Sequence, residues 1–290
     1  MQTARLAWTW HGKTLQLNYD IEGEGETILL LPALSSISTR REMRPLQERL
    51  SRRYRTVTMD WPGFGALPRP DVDWRPEAYS AFLAHVIETI APSPYAVVAA
   101  GHAATYVLAH ACAQPGSVGR LILIAPTWRG PLPTMMNGRK PFFERLCRLV
   151  DLPLIGPLLY RLNVNRVVIR FMAAGHVYAD REWLRGERLR EKLAVTHADG
   201  ARFASIRFVT GALDPVATRE QFLDLARHAG VPVLALYGVQ TPPRSRAEIE
   251  ALIAIPDVQS VCLPRGKLAI HEEFPDLVVP ALERFLSVSG

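Results

Sequence analysis

The spacing of hydrophobic positions changes period several times along the chain. Residues 4–10 and 15–21 alternate apolar and polar side chains around His11-Gly12-Lys13, which predicts an opening β-hairpin. After the turn Gly23-Glu24-Gly25-Glu26, residues 27–33 (TILLLPA) run apolar without interruption, as expected of a strand buried on both faces of a parallel sheet. Helical spacing follows at Met43, Leu46 and Leu50, within a predicted helix over 39–53. A strand over 54–61, a Gly- and Pro-rich turn over 60–65 (DWPGFG) and a helix over 76–90 come next, the helix opening on Pro76. Residues 95–110 (YAVVAAGHAATYVLAH) read as strand, tight turn and helix, and residues 120–127 (RLILIAPT) as another buried strand.

Strands that alternate with helices in this way imply a mostly parallel sheet wrapped by helices. The alternation stops after Pro126. Residues 128–213 hold helical pieces at 141–150, 155–175 and 180–194, punctuated by Pro131, Pro133, Pro153 and Pro157. It resumes with a helix over 219–228, a strand over 232–238, a helix over 245–255, a strand over 258–264 and a helix over 275–286. The expected architecture is α/β, with residues 1–127 and 214–290 forming one core and 128–213 an inserted helical cap. The run 152–162 (LPLIGPLLYRL) reads as cap core, or as a lid over an apolar ligand. No internal repeat or low-complexity segment interrupts this order.

Composition adds limits. With 290 residues, 48% hydrophobic and 21% charged, the chain has ordinary globular content. No uncharged apolar window reaches the ~18 residues of a membrane span, so no transmembrane segment is expected. The N-terminal stretch lacks the pattern of a signal peptide. Cys112, Cys147 and Cys262 are widely spaced and odd in number, which fits a reducing compartment, and a cytoplasmic location is expected. They do not cluster as metal ligands, and neither a metal nor a cofactor is expected.

The net charge of +6 is local. Residues 128–200 hold 13 Lys and Arg against 7 Asp and Glu, and the rest of the chain is balanced. Such a field suits an anionic ligand, an acidic partner or a membrane surface, as well as simple solvation of inserted helices. No nucleic-acid motif or aromatic-interleaved basic run accompanies it, so no nucleic-acid partner is expected. A small molecule is the expected ligand.

Candidate chemistry centres on Gly101-His102-Ala103-Ala104-Thr105. This turn has the spacing of the nucleophile elbow G-x-S-x-G, with alanine in place of serine. With the DWPGFG turn and the order of elements, the chain resembles the α/β-hydrolase superfamily over residues 27–127 and 219–287.

The resemblance implies descent from a carboxylic-ester hydrolase acting on a small apolar or ester substrate. It puts the nucleophile position at Ala103 and the acid position at Thr241, in the loop 238–243. The alternative acid position, residues 125–128, also lacks a carboxylate. The base falls on Lys267, or on His271 after a local shift, with Glu272 and Glu273 beside it. Oxyanion-hole amides fall on Leu34 and Ala104. Ser35 and Ser36, with Ser38, read as substrate contacts or as helix caps. His102, beside the apex, is a structural position or a substrate contact. Asp214 reads as a turn residue or a relocated acid. His176 and His197 read as satisfied or exposed cap histidines, with a catalytic role as the alternative.

A triad works because a base takes the nucleophile's proton while a carboxylate orients and stabilises that base. One loss would fit an engineered Ser→Ala change, whereas departures at all three positions fit natural divergence. The sequence therefore leaves three readings: an esterase-like hydrolase with a degraded triad, a non-catalytic ligand-binding pseudo-hydrolase, or a lyase or isomerase using His271 or Lys267 as base.

Overall fold

The computed structural model describes residues 1–65 and 67–287; the last three residues of the expected core segment lie outside that range. Its single sheet has eight strands: β1 (Gln2–Trp10), β2 (Lys13–Glu22), β3 (Thr27–Leu31), β4 (Arg55–Met59), β5 (Ala96–Ala100), β6 (Leu121–Ile124), β7 (Val233–Gly238) and β8 (Val258–Leu263). They lie in the order β1-β2-β4-β3-β5-β6-β7-β8. The hairpin β1–β2 is antiparallel and β2 pairs antiparallel with β4, while every later pairing is parallel.

Side chains of a strand alternate between faces, and both faces here are covered. Leu29, Leu31, Val97, Ala99, Leu121 and Leu123 pack on one side with Phe82, Val86 and Leu108. Ile28, Leu30, Val98, Ile122 and Ile124 pack on the other with Leu46, Leu50, Val278 and Leu282. These continuous apolar runs are what the sequence shows as unbroken hydrophobic segments.

The chain leaves β3 toward β4 and later returns to pair β5 on the opposite side of β3. That reversal makes the C-terminal ends of β3 and β5 a topological switch point, where open α/β sheets bind ligands. The loops after β4, β6, β7 and β8 open on the same edge, because their strands run parallel to β3.

Between β6 and β7 the chain is helical: Pro131–Met135, Phe142–Asp151, Ile155–Asn163, Arg166–Met172, Gly186–Thr196, Ala201–Thr210 and Arg219–Arg227. The helix Pro131–Met135 was not expected, the helix expected over 180–194 begins at Gly186, and two further details depart from the hydrophobic pattern. The single helix expected over 155–175 is broken at Val164, because the Asn165 side chain accepts from the Val167 and Val168 amides and starts a new helix. The helix Ala201–Thr210 was not expected. Left-handed Gly200 and Gly211 (φ 72° and 76°) bound it, and it buries Phe203, Ala204 and Ile206.

Specific polar contacts hold the inserted helices to the sheet edge. The Lys267 ammonium donates to the carbonyls of Ala174 (2.7 Å) and Gly175 (3.3 Å). Glu273 accepts from the Ala179 and Asp180 amides at 2.8 and 2.7 Å. Glu248 accepts from Trp128 Nε1, Arg129 and Arg219, tying the start of the insertion to the helix Pro243–Ile253.

Candidate functional site

The turn after β5 sets the geometry of the site. Gly101 follows the strand directly, has φ +52° and is half-buried. His102 is already right-handed (φ −69°, ψ −22°), and the helix Ala103–Ala113 begins behind it. Ala103 is fully buried in the core. The expected apex therefore moves: the left-handed residue that projects from the strand end is Gly101, and Ala103 lies inside the first helical turn. A strand-to-helix elbow presents its apex through a strained positive φ, and glycine takes that φ without a Cβ penalty. A Cβ built at Gly101 meets the Cβ of Ala33 at 3.2 Å and Thr127 Oγ1 at 4.0 Å. The apex thus faces the switch point between β3 and β5.

The oxyanion amides shift with it. Ala104 N–H donates to Gly101 O at 3.2 Å, so it does not point outward as expected. The amides of His102 and Ala103 have no partner among the described residues, as befits the first turn of a helix. The Leu34 amide, expected on the other side of the hole, is likewise without a partner among the described residues. Ser35 Oγ accepts from the Ile37 amide at 3.5 Å. Thr39, rather than a serine, caps the short helix that follows. Ser36 is half-buried and makes no side-chain hydrogen bond among the described residues.

The acid and base positions do not assemble a charge relay. Thr241 is buried, and its hydroxyl has no partner among the described residues. Lys267 is bonded to two carbonyls of the inserted helices, which is poor geometry for a general base. His271 is buried with both ring nitrogens short of a hydrogen bond, and its Nε2 lies 3.5 Å from Glu42 Oε1. The same oxygen accepts from Ala33 N–H at 2.7 Å. Among the described residues, the polar contacts of His271 lead toward the elbow through Glu42 and Ala33. Burial pushes Glu42 up, but facing His271, Lys192 and the Ala33 amide outweigh it and hold the carboxyl below its ordinary range.

Lys192 completes this cluster from the helix Gly186–Thr196. Its ammonium lies 3.2 Å from Glu272 Oε2 and 3.9 Å from Glu42 Oε2. Burial favours the neutral amine, but Glu272, Tyr178 and Glu42 prevail and raise its pKa. The Tyr178 hydroxyl donates to the same Glu272 oxygen at 2.7 Å. Glu272 and Glu273 therefore bind the inserted helices, and neither is positioned as a partner for a catalytic base.

A second pair forms behind the apex. His102 Nε2 lies 3.3 Å from both Asp214 Oδ1 and Leu213 O. Leu213 O can only accept, so the ring is assigned a proton on Nε2, leaving Nδ1 buried without a partner. Burial lowers the His102 pKa to about 4 and raises that of Asp214 to about 8. Burial thus favours the uncharged form of both groups, unlike a base oriented by an ionised acid. Asp214 also accepts from Gly130 N–H at 2.9 Å, so it closes the insertion at both ends. His176 and His197 carry no such partnership among the described residues, and both are exposed.

Arg69, in the loop after β4, was not singled out by the sequence pattern. It is buried, and it donates from Nη2 to Gly65 O and to Val195 O (2.7 Å). Among the described residues its Nε and Nη1 have no partner, and no carboxylate stands within ion-pair distance. Burial lowers its pKa. It also borders a cavity of about 550 Å³ beside the β1–β2 hairpin. No cluster of three or more His, Cys, Asp and Glu side chains able to hold a metal ion occurs among the described residues.

Comparison with known proteins places this geometry. The pattern of the alpha/beta hydrolase family matches residues 28–281. No curated protein matches the chain. Among solved structures, a thermophilic esterase from Thermogutta terrifontis, described with malate bound, aligns with a TM-score of 0.74 at 19% identity, covering 99% of this chain and 98% of that one. A haloalkane dehalogenase variant from Agrobacterium tumefaciens aligns at 0.74 and 17%, covering 99% and 97%. The protein Cfl2 from Burkholderia cenocepacia aligns at 0.73 and 22%, covering 98% and 96%. Each of these is a likeness in fold.

Proposed function

We propose that this chain, which belongs to the alpha/beta hydrolase family, binds a small carboxylate or carbonyl compound at its elbow and forms no covalent acyl-enzyme. The observation that carries the reading is the glycine apex: Gly101 occupies the left-handed position and offers no nucleophilic atom. Ala103, the position that the G-x-S-x-G spacing singles out, has its methyl side chain enclosed in the core and likewise offers no nucleophilic atom.

What the turn keeps is a set of donors. The amides of His102, Ala103 and Leu34 need no particular side chain to stabilise negative charge on oxygen. The N-terminus of the helix Ala103–Ala113 adds its dipole to them. In this reading residues 128–213 act as a cap that shields the ligand from water, and Lys192, Lys267 and Glu273 hold that cap in place.

The test joins activity with binding. The protein is expected to turn over no short-chain p-nitrophenyl ester above background and to take no label from a fluorophosphonate probe. Its melting temperature should rise with one or more members of a panel of small carboxylates that includes malate. Ester turnover with covalent labelling of the unaltered protein would overturn the non-covalent reading. No thermal shift across the panel would overturn the ligand assignment.

A further inference from the structure

The helices 142–172 present their apolar residues outward. Leu154, Leu158 and Leu162 recur every four residues through the helix Ile155–Asn163 and are 88%, 62% and 59% exposed. Val167 and Phe171 repeat that spacing on the next helix, and each is 75% exposed. Helix periodicity of this kind normally points an apolar stripe at a core. Here the inward positions are taken by other residues, such as Ile169 and Gly156, and the stripe faces solvent. Gly156 sits so close to the preceding helix that an added Cβ would overlap Val150 O, which fixes the two helices against each other with their leucines outside.

The charges beside this stripe have one sign. Arg145, Arg148, Arg161, Arg166 and Arg170 lie on the same three helices. Arg148 reaches Glu144 at 3.6 Å, whereas Arg145, Arg161, Arg166 and Arg170 have no ion-pair partner among the described residues. The other acid of these helices, Asp151, is held by Arg207 at 2.9 Å from both its oxygens. Apolar side chains interleaved with unpaired arginines on short helices are the pattern of a segment lying in a membrane interface. There the leucines enter the acyl boundary while guanidinium groups meet anionic headgroups. No helix of the described residues is long and apolar enough to cross a membrane, so the segment would rest on the surface.

We infer that the helices Phe142–Asp151, Ile155–Asn163 and Arg166–Met172 form a docking face for an anionic lipid bilayer. A second copy of the chain fits the same face poorly. A two-fold contact would bring the unpaired arginines of both copies together with no free carboxylate of these helices to meet them. The inference does not depend on what the elbow binds.

The experiment is co-sedimentation of the full chain with vesicles of phosphatidylcholine alone and of phosphatidylcholine with phosphatidylglycerol. Binding is expected with the anionic vesicles and at least tenfold weaker with the neutral ones. Raising the salt concentration should weaken it without abolishing it. Leu158→Asp and Phe171→Asp should each reduce binding at least tenfold. Arg161→Glu combined with Arg170→Glu should do the same while retaining the circular dichroism spectrum of the parent. Leu158, Arg161 and Phe171 are exposed and Arg170 is half-buried, so folding is expected to survive. Three results would overturn the inference: no binding to either vesicle, equal binding to both, or binding unchanged by all the variants. Concentration-dependent dimerisation that Leu158→Asp abolishes, without vesicle binding, would assign the face to self-association instead.

Discussion

Exchange of Lys192 for methionine removes the ammonium that joins the helix Gly186–Thr196 to the sheet edge. Methionine keeps most of the aliphatic stem, so little packing is lost and the change isolates the charge. Lys192 is 7% exposed and faces Glu272 Oε2 at 3.2 Å and Glu42 Oε2 at 3.9 Å. Removing one member of a buried ion pair leaves an uncompensated charge and costs about 3–5 kcal/mol. The lower end applies here, because Glu272 is partly exposed and keeps its bond from Tyr178. For a chain of this length the entropy of unfolding is about 0.6 kcal/mol per kelvin, so the melting temperature should fall by about 5 °C near pH 7.5.

The pH dependence provides an internal check. Glu42 has its folded pKa held below the ordinary 4.5. It therefore contributes stability that is present above pH 4.5 and is lost as pH falls through the folded value. Without Lys192 that lowering weakens and burial pushes the carboxyl up. The variant's deficit should thus be largest at pH 7.5 and shrink toward acid, where protonation neutralises the carboxylates that lost their partner. Differential scanning calorimetry of parent and variant at pH 7.5 and pH 4.5 measures both quantities. A drop below about 2 °C at pH 7.5, on the same entropy scale, or a deficit independent of pH would refute the reasoning. The double variant Lys192→Met/Glu272→Gln should recover part of the loss, since one of the two unpaired charges is gone.

Three further outcomes are expected. Gly101→Cys should be alkylated by iodoacetamide under native conditions while Ala103→Cys is not; peptide mapping by mass spectrometry separates these sites from Cys112, Cys147 and Cys262, all free thiols. Asp214, with its pKa raised from 3.8 to about 8, keeps a proton that the unfolded chain releases, so its contribution to stability is lost as pH rises across that range. His102, lowered from 6.5 to about 4, acts in the opposite sense below pH 6.5, leaving Asp214 the sole contributor of this pair to the decline between pH 6.5 and 8. Urea titrations at pH 6.5 and 8.5 should show the parent losing more stability than Asp214→Asn. Glu248→Ala deprives Trp128, Arg129 and Arg219 of their common acceptor and should cost about 2–3 kcal/mol by urea denaturation, while Glu248→Gln, which restores the Trp128 acceptor, should cost less.

The framework was legible in the sequence because burial on both faces leaves a plain trace: TILLL, AVVAA, LILI and VLALYG are strands for the same reason that they are uninterrupted apolar runs. The elbow was legible as strand, turn and helix but not in register. Around Gly101 the small residues Ala99, Ala100, Ala103 and Ala104 satisfy the small-residue spacing in more than one frame. Letters alone do not show which residue carries the positive φ. A signal was nevertheless present: the apex follows its strand directly, and the first residue past AVVAA is the glycine, the residue that takes such a φ most readily.

The polar clusters were less legible because they join positions distant in sequence through burial. His102 with Asp214, and Glu42 with His271 and Lys192, leave no spacing rule to read. Their chemistry follows from this placement. Burial favours the uncharged forms of His102 and Asp214, while Lys192 remains an ammonium because two carboxylates surround it. A fold that usually presents an activated nucleophile and a charged base here puts its ionic partnerships into holding the inserted helices. Backbone donors are left at the apex, and it is on these that the proposed non-covalent binding rests.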